Sequence, residues 1–405
     1  MGVFIYGYSC DYNALYRLCG TVRPSKAIMT DTTTPSALSN LTVIDMSRIL
    51  AGPFAAQNLA DMGAKVLKIE HPKGDDTRKW GPPFIEREDG SKDAAYYFCA
   101  KRNKTNIALD FTQVADREHL LELIKNADIL IENYKVGGLA KYGLDYASIR
   151  VINPSIIYCS ITGFGQNGPY KDRPGYDALI QAMGGLMSIT GEAEQAPQKV
   201  GVAVVDLMTA MYATTAILAA VNHRHVTGEG QHIDLALFDV QAAMLANQAA
   251  TYLLSGQIPT RQGSAHPSIA PYQPMRVQDG FVMLAVGNDA QFTQLCQAAG
   301  LPELAQDERF ITNAQRTRYR KELEHTLEPA MMRKTIDEWV ALGEQYGFPC
   351  GPINTIDRVF ADPQLRARGM IVRTDENYDL VANPIRFSAT PINHYQSPPL
   401  LPKSK

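Results

Sequence analysis

In this 405-residue chain the residue best placed for covalent chemistry is Asp177, in the segment PGYDALIQAMGG (174–185), where a Pro/Gly loop gives way to a helical pattern. A carboxylate there can serve as a nucleophile toward an acyl group. Asp is also a favoured helix N-cap, accepting a backbone N–H of the first turn, and on position alone that role is the commoner. A second region of interest is the long loop RQGSAHPSIAPYQP (261–274), which carries Gly263, Ser264 and His266. By residue type it reads as an ordinary surface loop with a turn at Gly263. A lone loop histidine is more often solvated than engaged, although His266 has the chemistry to hydrogen-bond a carboxylate.

Metal chemistry is not expected. His223 and His225 stand two apart on a predicted helix and point to different faces, and the six cysteines show no C-x-x-C spacing. Scattered thiols of this kind fit a reducing compartment rather than a disulfide framework. The net charge of −3 and the lack of a Lys/Arg block give no reason to expect a nucleic-acid or membrane partner.

The elements that must position these residues alternate. LTVID (41–45), KVLKIE (65–70), NIALDF (106–111), DILIEN (128–133) and SIIYCSIT (155–162) read as strands, several apolar on both faces as a covered parallel sheet requires. Helices are predicted over 53–62, with Pro in its first turn and Gly63 after its end, and over 114–126, with Leu120, Leu121 and Ile124 as its apolar stripe. The result is an α/β fold with an open, doubly wound sheet. The turn after the first strand reads SRILAGP, so no G-x-G-x-x-G dinucleotide fingerprint is present. The apolar stretch 202–221 contains Asp206 and several Thr, and is read as a core helix rather than a membrane span.

Length favours two domains. The large one is expected to comprise 41–226 and 331–405, and a smaller α+β domain to comprise 227–330 with the Gly263 loop. Residues 1–40 are read as an N-terminal extension; the first 28 lack a secretory h-region, and Met29 is an alternative start.

Further segments stand in a fixed order around Asp177: SRILAGPFAAQNLADMGAKVLKIE (47–70), GDDTRKWGPP (74–83), KRNKTNIALDF (101–111), ADILIENYKVGGLAKYGLDY (127–146) and INPSIIYCSITGFGQNGPY (152–170). Together they resemble the class III CoA-transferase family, from about Leu41 to about Pro399. The resemblance implies a Rossmann-like large domain, a small domain and an interlocked homodimer. It makes Asp177 the covalent nucleophile and matches Gly263 and Ser264 to a mobile glycine loop that closes the site. For CoA it implies contacts from Leu50, Ala51, His71, Asn103, Lys104, Asn133, Tyr134, Lys135 and Lys141, most of them after strand ends, where an open α/β sheet receives ligands. The lysines would oppose phosphates, although any one of them taken singly is more often a solvated charge.

Such an enzyme conserves thioester energy. The carboxylate attacks an acyl-CoA to give a mixed anhydride, and the CoA sulfur returns to form an aspartyl-CoA thioester before the acceptor acid exchanges. CoA and acyl-CoA are thus substrates, no permanently bound cofactor is expected, and the setting is the cytoplasm, or the mitochondrial matrix in a eukaryote. GYDALIQAMGGLMSITG paired with GSAHPSIAPYQ resembles the dicarboxylate-using branch, with succinyl-CoA as donor. Leu50 stands where formyl-CoA transferases have Gln. The rival reading, a 2-methylacyl-CoA racemase, uses a His and a Glu where this chain has Tyr176 and Asn288, and a non-catalytic CoA-binding protein would not need Asp177. Asp75, Asp76 and Arg78 are read as a structural ion-pair cluster, and Asp206 as structural. Relatives continue past the PPLL position with a further turn and helix, whereas this sequence ends at Lys405.

Overall fold

The computed structural model of the protein describes residues 35–402. The N-terminal extension, as far as residue 34, lies outside the described residues. Runs of β-branched residues form β1 (Thr42–Asp45), β2 (Lys65–Glu70), β3 (Lys104–Ala108), β4 (Ile129–Glu132) and β5 (Ile157–Thr162), and a sixth strand, β6 (His232–Ala236), completes the sheet. Its order is β3-β2-β1-β4-β5-β6, with every neighbouring pair parallel. Parallel strands need crossovers, here supplied in part by α1 (Ala51–Asp61), α2 (Val114–Lys125), α3 (Asp177–Met183) and α4 (Val204–Thr227).

Strand alternation sorts the core into two layers. Val43, Ile129, Ile131, Ile157, Cys159 and Ile161 meet Ala55, Ala56 and Leu59 of α1 and Val205, Ala213 and Ile217 of α4. Their neighbours Ile44, Leu67, Ile69, Leu130 and Tyr158 face the other way, onto Leu120 and Ile124 of α2. Both faces are therefore covered, as the apolar strand pattern requires. The long helix α4 is apolar enough to cross a membrane by length and composition, but here it packs against α1 within the core.

The second domain is built on an antiparallel sheet of β7 (Tyr272–Val277) and β8 (Gly280–Ala285). Helices that include α5 (Asp289–Ala299), α6 (Arg320–Met331) and α7 (Ile336–Tyr346) lead to its third strand β9 (Cys350–Pro352), in the order β9-β8-β7. Its core centres on Trp339, Phe292, Phe310, Leu295 and Leu327 and spans Met275 to Cys350. This differs from the 227–330 division expected from the sequence. After α4 the chain returns to the large sheet, where β6 pairs with β5 from Tyr158↔His232 to Thr162↔Ala236, and α7 and β9 belong to the small core.

Candidate active site

The sheet order reverses between β1 and β4, and an open α/β sheet has its crevice beyond the carboxyl ends of the strands at such a point. A cavity of about 630 Å³ lies there, lined by residues 48–51 after β1, residues 133–136 after β4, residues 161–163 at the end of β5, and the segment 171–177. Its first wall is a strained turn. Ile49 has φ +70, a left-handed conformation that a β-branched residue adopts only at a cost of about 1–3 kcal/mol. Neighbours fix it from both sides. Lys101 Nζ donates to the Ile49 carbonyl at 3.1 Å, and the Ile49 amide donates to Asp75 Oδ2 at 3.3 Å. Asn133 clamps the adjacent backbone, accepting from Arg48 N and donating to Arg48 O, both at 2.8 Å.

A close glycine contact brings in the segment that carries Asp177. A Cβ built on Gly163 would lie 2.6 Å from the Gly175 Cα, and one on Gly175 would lie 2.4 Å from the Gly163 Cα. Two bare backbones can approach this way and side-chain-bearing ones cannot.

Asp177 is the first residue of α3, and Tyr176 occupies the N-cap position. Its carboxylate does not cap its own helix. Oδ1 accepts the amides of Val205 at 2.8 Å and Asp206 at 3.4 Å, in the first turn of α4, and Oδ2 accepts Gln181 Nε2 at 2.6 Å. The α4 N-terminus, where the helix dipole complements negative charge, thus points at this carboxylate. Gln181 is itself fixed, its Oε1 accepting Val200 N at 2.9 Å. Asp206 also lines the cavity. Burial, and then the charge of Asp177, push the Asp206 carboxyl up to about 7.

Cations rim the same space: Arg48, Lys79, Lys135, Lys171 and Arg173. Arg48 pairs with Asp76. Arg173 lies 3.9 Å over the ring of Tyr170, which meets Phe164 edge-on at 5.6 Å. Of these, only Lys135 was named from the sequence. Lys171 and Arg173 had a visible signal in their closeness to Asp177, and Arg48 in its place within SRILAGP.

Of the residues expected to bind CoA, the cavity brings together Leu50, Ala51, Asn133, Tyr134 and Lys135, with Asp177. Lys104 is placed elsewhere and does not face a ligand. It is 4% exposed, and its Nζ is consumed by Asp45 Oδ2 at 2.8 Å and the Pro53 carbonyl at 2.7 Å. Asn103 adopts φ +60 and ties Asp61 to the amide of Gln396, away from the cavity. The His71 Nδ1 accepts the Lys73 amide, and its Nε2 lies 3.8 Å from Asp110. Lys141 rests 4.9 Å over the Tyr142 ring. None of these four lines the cavity.

In a single chain the Gly263 loop does not line it either. The Gly263 amide donates to the Gly191 carbonyl at 3.0 Å, and Gly263 borders a separate cavity of about 260 Å³. Ser264 forms a bridge with Gln262, and His266 lies 5.2 Å from the Tyr272 ring with its Nδ1 accepting Ser268 N. Asn288 caps α5 by accepting the Gln291 amide at 2.9 Å.

Comparison with known proteins gives consistent results. The model of CoA-transferase family III matches residues 38–404. The chain is 48% identical over 370 residues to a succinate–glutarate CoA-transferase of Agrobacterium fabrum, covering 90% of this chain and 92% of the relative. It is 40% identical over 369 residues to the human succinyl-CoA:glutarate CoA-transferase, covering 90% and 83%. A CAIB/BAIF family protein from Brucella suis superposes with a TM-score of 0.84 at 49% identity, covering 91% of this chain and 97% of that one. With the family model spanning nearly all of the described residues and relatives at 40–48% identity along most of the chain, the chain belongs to CoA-transferase family III.

Proposed function

We propose that this CoA-transferase moves CoA from succinyl-CoA to a dicarboxylic acid, with glutarate as the first candidate acceptor and Asp177 as the covalent nucleophile. The observation that carries the reading is the Asp177 carboxylate on the switch-point cavity, gripped by two α4 amides and Gln181, in a cavity whose lining also includes cationic side chains. The three donors orient the oxygens without covering them with a cation, so a lone pair remains free to attack an acyl carbon held at van der Waals distance. The anhydride that forms loses its acyl group to any water present, so the site works closed.

In this reading Lys135, with Lys171 or Lys79, takes the phosphates of CoA, and Leu50 and Ala51 supply an apolar wall near the thioester. One of the remaining rim cations receives the distal carboxylate of the acid. Gly263 and Ser264 keep the lid role, which requires their loop to be brought to Asp177 within an interlocked homodimer. Large apolar side chains left exposed on α3, α4 and the helix Ala246–Ser255, among them Leu179, Met183, Met211, Tyr212 and Leu254, support such a partner surface.

The test is a panel of acyl-CoA donors against carboxylic acids, with CoA exchange followed by mass spectrometry. Succinyl-CoA with a C4 or C5 dicarboxylate is expected to be fastest. Equal rates with monocarboxylates of the same length would overturn the dicarboxylate assignment. In deuterated water, a 2-methylacyl-CoA incubated without an acceptor should gain no α-deuterium, because Tyr176 and Asn288 supply no pair of acid–base groups at the carbon.

A further inference from the structure

We propose that Asp206 is the acid that carries the proton for the departing CoA sulfur, a role that rests on the transfer reading above. Asp206 and Asp177 converge on one reaction space from two helices. The backbone N–H of Asp206 is 3.4 Å from Asp177 Oδ1, and both residues line the cavity. Asp45, Asp61, Asp75 and Asp76 each meet a Lys or Arg, whereas among the described residues no ion pair is found for Asp206. The titratable groups that face it are Asp177 from α3 and Tyr96 from the short helix Ala95–Phe98. Tyr96 stays neutral, its hydroxyl pushed up to about 12 chiefly by burial. Burial and the anion beside it hold the Asp206 carboxyl up to about 7, so a large share of it carries a proton near neutral pH.

The step balances without water or another reactant. An Asp177 oxygen attacks the thioester carbonyl carbon, the C–S bond breaks, and the sulfur takes the Asp206 proton. The products are the mixed anhydride, the CoA thiol and an Asp206 carboxylate. In the return step Asp206 takes the proton back as the sulfur attacks the Asp177 acyl carbon and the first acid leaves as its carboxylate. Acylation removes the negative charge of Asp177, which is part of what holds the proton on Asp206. The acid therefore strengthens at the moment it must donate, and an alkyl thiolate with an ordinary pKa of about 8.5 accepts readily.

The experiment compares wild type, Asp206→Asn and Asp206→Glu in transfer from succinyl-CoA over about pH 5 to 9, in light and heavy water, with acyl-CoA KM and far-UV circular dichroism as controls. Wild-type kcat should fall as pH rises through the Asp206 titration and show a normal solvent isotope effect. Asp206→Asn should lose roughly a hundredfold in kcat with KM little changed, and should lose both the pH limb and the isotope effect. Asp206→Glu should recover the limb at a shifted position. If Asp206→Asn keeps the wild-type limb and isotope effect, whatever its rate, the residue is only structural and the proposal fails. Should the Asn variant not fold, an unmoved limb in Asp206→Glu overturns the proposal equally. A wild type that transfers to no acid at all would instead overturn the transfer reading itself.

Discussion

On the β2–β3 side of the large domain, Asp45 meets Lys104 at 2.8 Å, Asp75 meets Lys101 at 3.0 Å and Glu70 meets Arg78 at 2.6 Å, whereas at the switch-point cavity the Asp177 carboxylate accepts the backbone amides of Val205 and Asp206. Both regions hold carboxylates in the same fold, and the electrostatics run in opposite directions. For Asp45, burial opposes ionisation, yet Lys104, Lys68 and Lys101 outweigh it and hold the carboxyl down at about 2. For Asp206, burial acts with the charge of Asp177 and the carboxyl rises. Cation-paired carboxylates have their lone pairs occupied and their charge fixed, which suits a scaffold. Carboxylates without a cation keep a lone pair or a proton available, which suits transfer chemistry. The scaffold reaches the cavity through the backbone, since Asp75 and Lys101 are the pair that holds the strained Ile49.

The sharpest break in this comparison comes from Asp177. Asp177→Asn or Asp177→Ala should lower exchange by roughly a thousandfold or more while the protein stays folded and binds CoA. In the wild type, trapping with acyl-CoA should add mass to the peptide that carries Asp177. An Asp177→Ala protein with near-normal turnover would remove the distinction altogether.

On the scaffold side the loss should appear as stability. Lys104→Ala strands the buried Asp45 and should cost about 3–5 kcal/mol in denaturant unfolding. Lys135→Ala, on the cavity rim, should stay within about 0.5 kcal/mol by the same measurement. Similar losses for the two would mean that they share one environment.

Gly263→Val probes whether the lid belongs with the chemistry. At φ +63, and with a Cβ that would lie 2.4 Å from a Glu192 carboxylate oxygen, the substitution strains the loop by about 1–2 kcal/mol. Transfer should fall by several-fold, and the share of acyl-CoA lost to hydrolysis should rise. An unchanged hydrolysis-to-transfer ratio would return the loop to plain surface structure. The smallest effect is expected for Lys135→Ala in kinetics, a rise in acyl-CoA KM of about threefold to tenfold that shrinks with added salt. A salt-independent change would argue against a phosphate contact.

Much of this architecture was legible because parallel strands buried on both faces must be apolar throughout. KVLKIE and SIIYCSIT therefore showed themselves, and the loop-to-helix position of Asp177 and the family pattern around it marked the nucleophile candidate. Sequence alone puts β6 in the small domain because its partner β5 lies 74 residues earlier, from Tyr158 to His232, and local periodicity says nothing of such pairing. KRNK showed a cation next to a strand but not the side of the sheet on which Lys104 would lie, nor that Asp45, 59 residues away, would neutralise it.

The sequence by itself determined residue type, local period and the order of motifs, and hence the α/β sheet, the candidate nucleophile and the lack of a dinucleotide fingerprint. Tertiary structure alone decided which charges are paired and which are not. Asp177 depends on the amide of Val205, 28 residues on, and on a Gly163–Gly175 contact that no periodicity announces. Dielectric and partner are properties of the space between segments distant in the chain, and they leave one aspartate ion-paired and another held by amides on a cavity.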